Sequence, residues 1–294
     1  MKNALEKAKR WVEEELGTAV VSMRQLPGST SSTLYEMTTI KGVVVLRQLD
    51  NQEWLLEEPD VVRHEAMSLQ KASTGRLLAP SLIAFDETGE ISGLPSILMT
   101  KVEGSVELQP ADFEKWVEGL ATALIGIHGL AVAHFPWQYA SYTSRDEVEV
   151  PKWTKKQAVW QAAFDQLQSP VPDFKETFIH RDFHPANILW LNGEVSGIVD
   201  WPNACLGPAG IDIGHCRVNL ALLYGVEVAD LFLRAYKKAA GTSFPYDSYW
   251  DIVSAFDFLD GPPTVYPGWA SFGVTDLTDA MMEERLDAFV GSLF

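Results

Sequence analysis

The stretch Phe178–Trp201, FIHRDFHPANILWLNGEVSGIVDW, concentrates histidine, aspartate and asparagine between apolar residues. Within it, Asn192-Gly193 lies between two apolar runs. An Asn-Gly pair in that setting predicts a β-hairpin with a two-residue turn, because both turn positions need a positive φ. The stretch therefore predicts two paired strands, with polar side chains at their open end.

The register of this hairpin places two polar side chains near each other. Pairing Leu191 with Glu194 sets Asn187 opposite Ile198, and Asp200 follows two residues later on the same face. Diagonal neighbours of this kind lie roughly 7 to 8 Å apart by backbone. An amide oxygen and a carboxylate suit magnesium better than zinc. The hairpin therefore predicts a magnesium site formed by Asn187 and Asp200.

Asp182 precedes this predicted site on a loop. It is separated from Asn187 by Pro185, so its carboxylate can lie beside the same position. A carboxylate that is not bound to metal can accept a proton from a hydroxyl group, and phosphoryl transfer needs little more than positioning and charge stabilisation. The pattern indicates a nucleotide-dependent transferase.

The segments HRDFHPAN and IVDW resemble the catalytic and metal-binding segments of the aminoglycoside phosphotransferase (APH) and choline kinase-like family of small-molecule kinases, which are relatives of the protein kinases. The resemblance extends over nearly the whole chain. It implies an α+β, two-lobed protein-kinase-like fold, with a small N-terminal antiparallel-sheet lobe and a larger, mainly helical C-terminal lobe. It also implies ATP, with GTP as an alternative, and Mg²⁺ as cofactors.

The resemblance assigns roles to individual residues. Asp182 would be the catalytic base, Asn187 and Asp200 the metal ligands, and His180 and Asp212 the structural support of the catalytic loop. The nucleotide-binding residues would be Gly28, Ser29, Thr30, Arg47, Glu65, Met99, Thr100 and Val102. Arg47 stands where the family has a lysine, and the turn at residues 28–30 lacks the full glycine pattern, so the phosphate contacts differ from the family's usual ones.

Hydrophobic periodicity divides the chain near Lys101. Residues 1–101 alternate in short apolar runs and contain few helical patterns, whereas residues 102–294 contain long patterns with a period of three to four. The predicted strands include Thr33–Thr39 and Gly42–Leu49. The sequence predicts a strand-rich nucleotide-covering lobe over 1–101 and a helical lobe with the catalytic loop, metal site and substrate pocket over 102–294.

The net charge of −17 and the 47% hydrophobic content limit the possible partners. Nucleic acid is a poor partner because phosphate backbones need clustered lysine and arginine. The charged N-terminal stretch predicts an amphipathic helix rather than a signal peptide, and no membrane association is expected. With only Cys205 and Cys216 in the sequence, a disulfide framework is excluded and a reducing cytoplasm is expected. The oligomeric state is left open between monomer and homodimer.

The C-terminal region predicts the nature of the acceptor. Carboxylates and aromatic rings alternate after residue 244, which favours a small cationic substrate through charge pairing and cation-π contacts. Most of the aromatic rings are also expected to pack between helices. The candidate substrate-binding residues are Asp247, Trp250, Asp251, Asp257 and Asp260. The family resemblance implies an aminoglycoside as the leading acceptor, with choline, an amino alcohol, a sugar or a macrolide as alternatives.

Two other classes of function compete with a kinase. A metallohydrolase could use His180, Asp182 and His184 on a transition metal, but Pro185 disfavours it, and His215 is the one further downstream histidine that could complete the site. A catalytically silent nucleotide-binding module would have no chemical need for Asp182, Asn187 and Asp200 together. The sequence therefore favours phosphoryl transfer.

Overall fold

The computed structural model describes residues 2–27, 32–75, 77–132, 134–241 and 244–294. The chain forms two compact units, Met1–Gly104 with Ser196–Asn203, and Ser105–Val195 with Ala204–Phe294. The first boundary lies close to the predicted one, but the return of Ser196–Asn203 to the first unit was not predicted. It follows from contacts such as the hydrogen bond from Ile198 N to Leu78 O, at 2.7 Å.

The helices follow the predicted periodic segments, with additions. They are α1 (Lys2–Leu16), α2 (Gln52–Glu57), α3 (Val61–Ser73), α4 (Phe113–His128), α5 (Gln157–Leu167), α6 (Ala209–Tyr224), α7 (Val226–Ala240), α8 (Tyr249–Asp257) and α9 (Asp279–Gly291). Short 3-10 helices cover Pro185–Asn187 and Pro267–Phe272. Helices α2 and α5 were not predicted.

The strands are short and belong to three sheets. They are β1 (Val20–Leu26), β2 (Thr33–Thr39), β3 (Gly42–Gln48), β4 (Leu82–Asp86), β5 (Ser96–Thr100), β6 (Ser105–Val106), β7 (Glu176–Ile179), β8 (Ile188–Leu191), β9 (Glu194–Ile198) and β10 (Cys205–Pro208). The sheet orders are β1-β2-β3-β5-β4, β10-β7 and β6-β8-β9.

The first unit is built on the five-stranded antiparallel sheet. One face of its strands is apolar, and α1 packs its own apolar stripe against that face through Ala8, Trp11 and Val12. These residues enclose Met37 of β2 and Leu46 of β3, which have no exposed surface. Alternation along the strands thus produces a small core between the sheet and α1.

The second unit is mainly helical and is centred on α6. This helix is buried along most of its length, and it packs against α7 and α8. Gly210 permits a close approach, because a Cβ at that position would overlap the indole of Trp250 on α8. The absence of a side chain at Gly210 therefore lets α8 lie directly on α6.

The predicted two-residue turn is confirmed. Asn192 and Gly193 have φ values of 54° and 73°, and they join β8 to β9. Asparagine and glycine tolerate this left-handed conformation better than other residues. The prediction of an α+β fold with an antiparallel sheet is likewise confirmed. Among the residues that the structure describes, no helix combines the length and the apolar character needed to cross a membrane.

Candidate active site

Asp212 anchors the loop that carries Asp182. Its Oδ1 accepts a hydrogen bond from Arg181 N at 2.7 Å, and its Oδ2 accepts one from His180 N at 2.8 Å. Nε2 of His128 lies 3.0 Å from Oδ2. These bonds hold Arg181 at a φ of 71°, a conformation that costs free energy in a residue with a side chain. Asp212 thereby fixes the backbone direction immediately before Asp182.

The carboxylate of Asp212 is fully buried but ionised. Burial by itself would raise the pKa of Asp212, but the His128 contact and the hydrogen bond from the His180 backbone lower the pKa below its usual value of 3.8. A group with a lowered pKa in the folded state stabilises the fold above its unfolded pKa, and this contribution is lost as pH falls through the folded pKa.

Replacing Asp212 by Asn is expected to lower the free energy of unfolding at pH 7 by about 2 to 4 kcal/mol, because an amide group cannot accept all three bonds. The difference in the free energy of unfolding between Asp212→Asn and the wild type should become smaller as pH falls below 3.8, because protonation then removes the stabilising charge of Asp212. Urea unfolding at pH 7 and pH 3 measures both effects. The exposed Asp276 provides the control variant Asp276→Asn, which should behave as the wild type. Equal losses at both pH values would contradict this role for the charge.

The Asp182 side chain is held between groups that favour its ionised form. Asn187 Nδ2 donates to Asp182 Oδ2 at 3.2 Å and to the Asp182 carbonyl at 3.0 Å. His215 Nε2 lies 3.1 Å from Oδ1, and His184 Nε2 lies 3.6 Å from it. Burial would raise the pKa of Asp182, but the His184 and His215 imidazoles more than offset it and hold the pKa well below its usual range. Asp182 is therefore a carboxylate at neutral pH.

The structure also tests the alternative of a transition-metal site. Ligand atoms of Asp182, His184 and His215 lie within 4.8 Å of one another, whereas His180 is not part of this cluster. However, Ala186 N donates to Nδ1 of His184 at 3.2 Å. Because Nδ1 then acts as the acceptor, the neutral ring carries its proton on Nε2, the atom that faces Asp182. The His184 tautomer thus disfavours a metal ion between these side chains.

Asn187 and Asp200 have the donor atoms that magnesium requires. The amide nitrogen of Asn187 is engaged with Asp182, so its oxygen is directed elsewhere and can accept a cation. In the first unit, Asp200 has a φ of 68° and its side chain is 38% exposed. Its Oδ1 contacts Arg47, which leaves Oδ2 as a further oxygen donor. Each residue fits a hard cation such as Mg²⁺.

Arg47 connects three polar groups within the first unit. Its Nη1 lies 2.8 Å from Glu65 Oε1 and 2.7 Å from Asp200 Oδ1, and its Nε donates to Ser32 Oγ at 2.9 Å. The predicted Arg47–Glu65 pair is therefore present, and both side chains are buried. Burial opposes the charge of Arg47, but Glu65 and Asp200 raise its pKa above the usual value. This network keeps a permanent positive charge beside Asp200.

The other predicted nucleotide-binding residues differ in their availability. Met99 is buried on β5, and Val102 follows this strand with a half-buried side chain. Thr100 N donates to Ser81 O at 2.9 Å, so this N–H is not available for an adenine edge. The predicted contact between the Thr100 backbone and an adenine edge would therefore need its carbonyl oxygen, and it stays a prediction. Gly28, Ser29 and Thr30 lie outside the described residues.

The candidate substrate-binding residues occupy different environments. Asp251 has no exposed surface, and its carboxylate contacts Arg217 and accepts from Tyr246 Oη at 2.7 Å. This burial corrects the predicted role of Asp251 in binding a cationic substrate, because its charge is paired with Arg217 inside the protein. Trp250 is mostly buried, and Asp257 is partly buried. Asp247 accepts from Tyr249 N at 2.8 Å, and Asp260 is exposed.

The sequence pointed to no role in phosphoryl transfer for His215 and His128, which contact Asp182 and Asp212. His215 lies on α6, one turn after Asp212. This spacing puts both residues on one face of the helix and was a signal that could have been used. His128 ends α4 and is brought to Asp212 by tertiary packing, which no local pattern reports.

A match to a protein family defines the class to which this chain belongs. The family model described as "Phosphotransferase enzyme family" (APH) matches residues 22–251 of the chain. This chain belongs to that family.

Two curated relatives share parts of the sequence. One is N-acetylmuramate/N-acetylglucosamine kinase of Neisseria meningitidis serogroup B, 28% identical over 33% of this chain and 29% of the relative. The other is homoserine kinase of Methylocella silvestris, 30% identical over 44% of this chain and 42% of the relative. The matched stretches thus span less than half of either relative.

Solved structures share the fold over almost the full length. Aminoglycoside phosphotransferase APH(4)-Ia has a TM-score of 0.63 at 16% identity, covering 99% of each chain. Macrolide 2'-phosphotransferase MphH from Brachybacterium faecium has a TM-score of 0.61 at 14% identity, covering 98% of each chain. A mutant of APH(4)-Ia is known in a ternary complex with AMP-PNP and hygromycin B. At these identities the likeness establishes the fold.

Proposed function

We propose that this chain is an ATP-dependent phosphotransferase that transfers the γ-phosphoryl group to a hydroxyl of a small molecule. The observation that carries the proposal is the ionised Asp182 carboxylate, on a loop anchored by Asp212. Membership of the phosphotransferase family supports the same reaction. GTP is an alternative donor, and a cytoplasmic location suits both the nucleotide and the two unbridged, buried cysteines of the described chain.

In the proposed mechanism, Asp182 accepts a hydrogen bond from the acceptor hydroxyl and takes its proton as the oxygen–phosphorus bond forms. Asn187 holds Oδ2 of Asp182 through its amide nitrogen, so the carboxylate has a fixed orientation. The lowered pKa of Asp182 keeps it ready to accept at neutral pH, although it also makes Asp182 a weak base. Asp182 therefore acts mainly by orienting the hydroxyl, with proton transfer late in the reaction.

The nucleotide would be held by residues of the first unit. Arg47 keeps its charge at every working pH and can contact phosphate oxygens through two N–H groups. Met99 would line the adenine pocket, with the Thr100 carbonyl and Val102 at the adenine edge and residues 28–30 covering the phosphates. Asn187 and Asp200 would supply oxygen ligands to Mg²⁺, which neutralises phosphate charge when bound.

The identity of the acceptor is proposed from similarity and chemistry. An aminoglycoside would agree with the hygromycin B complex of APH(4)-Ia, and an amino sugar or homoserine would agree with the two curated relatives. The exposed Asp260 and the solvent-facing Asp247 are the carboxylates that remain for a cationic acceptor.

Measuring ADP release with a panel of acceptors tests the proposal. The panel contains an aminoglycoside, a macrolide, choline, homoserine, N-acetylglucosamine and simple alcohols, each with ATP and Mg²⁺. We expect at least one acceptor to raise ADP release well above the rate with ATP alone. Metal analysis of the same preparation distinguishes a kinase from a metallohydrolase, since a stoichiometric zinc or iron would favour the metallohydrolase.

A further inference from the structure

A cavity of about 200 Å³ lies within the second unit, beside α8. Its walls come from the segment 139–148, from the end of α5 with the residues after it, and from α8. The wall is mainly aromatic and aliphatic and includes Phe174, Trp250, Val253 and Phe256. Val171 and Phe174 are 46% and 50% exposed, so they form the rim of this cavity.

The charged groups of the cavity wall are already paired within the protein. Asp257 Oδ1 accepts from Ser141 Oγ at 3.1 Å, and its Oδ2 lies 3.6 Å from Arg181. Arg145 donates to Ser169 O at 3.2 Å and contacts the Tyr249 hydroxyl. A cationic ligand would therefore find no uncompensated carboxylate here. The surface left for a ligand is apolar.

The cavity wall is connected to the loop of Asp182 through Arg181. The guanidinium of Arg181 lies between the rings of Tyr139 and Tyr142, at 4.5 Å and 3.9 Å from their centroids. Its Nη2 donates to Ala140 O at 2.8 Å. Arg181 directly precedes Asp182, so the residue beside the base also shapes the cavity wall. Arg181 thus contacts two residues of the cavity wall, Tyr139 and Asp257, and is the chain neighbour of the proposed base.

A second connection runs through α6 and the residue after α8. His215, which contacts Asp182, lies against Phe258 with ring centroids 5.2 Å apart. Phe258 directly follows Asp257, a member of the cavity wall. Phe258 thus connects the cavity wall to the histidine that contacts Asp182.

We propose that this cavity binds an apolar ring or a short branched alkyl group of the acceptor, so that the substrate is an alcohol with one apolar end. This inference rests on the proposed phosphotransfer and narrows its substrate class. The volume suits one six-membered carbocycle with a small substituent, since a 150 Å³ apolar cavity in another protein accepts benzene. The apolar wall favours such a group over a polycationic sugar.

The first test measures the binding of 4-fluorobenzyl alcohol to the protein without nucleotide, with ¹⁹F NMR as the readout. Val171→Trp places a large ring at the rim from an exposed position, so it should block the cavity without disturbing the core. Val132→Trp, at 39% exposure and outside the cavity, is the matched control. We expect line broadening with the wild type and Val132→Trp, and at least a tenfold weaker affinity with Val171→Trp. No broadening with the wild type, or equal broadening with Val171→Trp, would overturn the inference.

The second test measures ADP release with two matched pairs of acceptors. One pair is phenylalaninol and alaninol, and the other is benzyl glucoside and methyl glucoside. We expect the aromatic member of a phosphorylated pair to have a KM at least tenfold lower, and Val171→Trp to remove that difference. Equal KM values for the two members of a pair, with acceptor-dependent ADP release still present, would contradict the proposed role of the cavity but not the proposed phosphotransfer. Binding of the fluorinated alcohol without acceptor-dependent ADP release would support the cavity and count against the phosphotransfer.

Discussion

Asp182→Asn is expected to retain nucleotide binding and to lose nearly all turnover. Asparagine keeps the size of the side chain but has only one acceptor oxygen, so it can keep the contact with Asn187 or the one with His215, and it cannot accept the hydroxyl proton. Loss of a general base lowers the rate by about 10² to 10⁴-fold. Acceptor-dependent ADP release measures turnover, and the thermal shift produced by ATP with Mg²⁺ measures binding.

Two controls make the Asp182→Asn result specific. Asp276→Asn changes the same functional group on the surface and should keep full activity. The melting temperature of Asp182→Asn without ligand is measured to show that the variant is folded, and a modest decrease is expected because the lowered pKa of Asp182 means that its charge stabilises the fold. If turnover survives in a folded Asp182→Asn protein, the base is another residue.

Asp200→Asn is expected to remove the magnesium-dependent part of the stabilisation by ATP. Asparagine tolerates the φ of 68° at this position, so the backbone can be retained while the charge is lost. A ligand at 100 times its Kd stabilises a protein by about 2.7 kcal/mol, which corresponds to roughly 5 to 10 °C in melting temperature. Thermal shifts with ATP alone and with ATP and Mg²⁺ separate the two contributions.

The Asp200 experiment needs a control for its contact with Arg47. Asp200→Asn also removes the 2.7 Å ion pair, so the ligand-free melting temperature is compared first. Glu65→Gln weakens the other ion pair of Arg47 without touching a proposed metal ligand, and its Mg²⁺-dependent shift should persist. An undiminished magnesium effect in Asp200→Asn would show that the metal binds elsewhere.

Local patterns predicted the features that depend on neighbouring residues in the sequence. The turn at Asn192 and Gly193 could be read directly because the required φ values restrict the residue types. Strands β2 and β3 were predicted from their local residue pattern. In contrast, α5 was missed, and the helices it packs against, α8 and α9, are distant in the sequence.

Contacts that depend on tertiary packing could not be predicted. The proximity of His215 to Asp182 requires α6 to pack beside the catalytic loop. The burial of Asp251 against Arg217 was hidden for the same reason, and the sequence had suggested a carboxylate available for a cationic substrate. Composition reports which charges are present, whereas the fold determines which of them are neutralised.

The most direct test of the proposed function is ³¹P NMR of the wild-type protein with ATP, Mg²⁺ and the best acceptor of the panel. We expect a new phosphate-ester signal that grows in step with ADP, and no such signal with Asp182→Asn. ADP accompanied by inorganic phosphate alone, with no ester at any acceptor concentration, would contradict transfer to a hydroxyl.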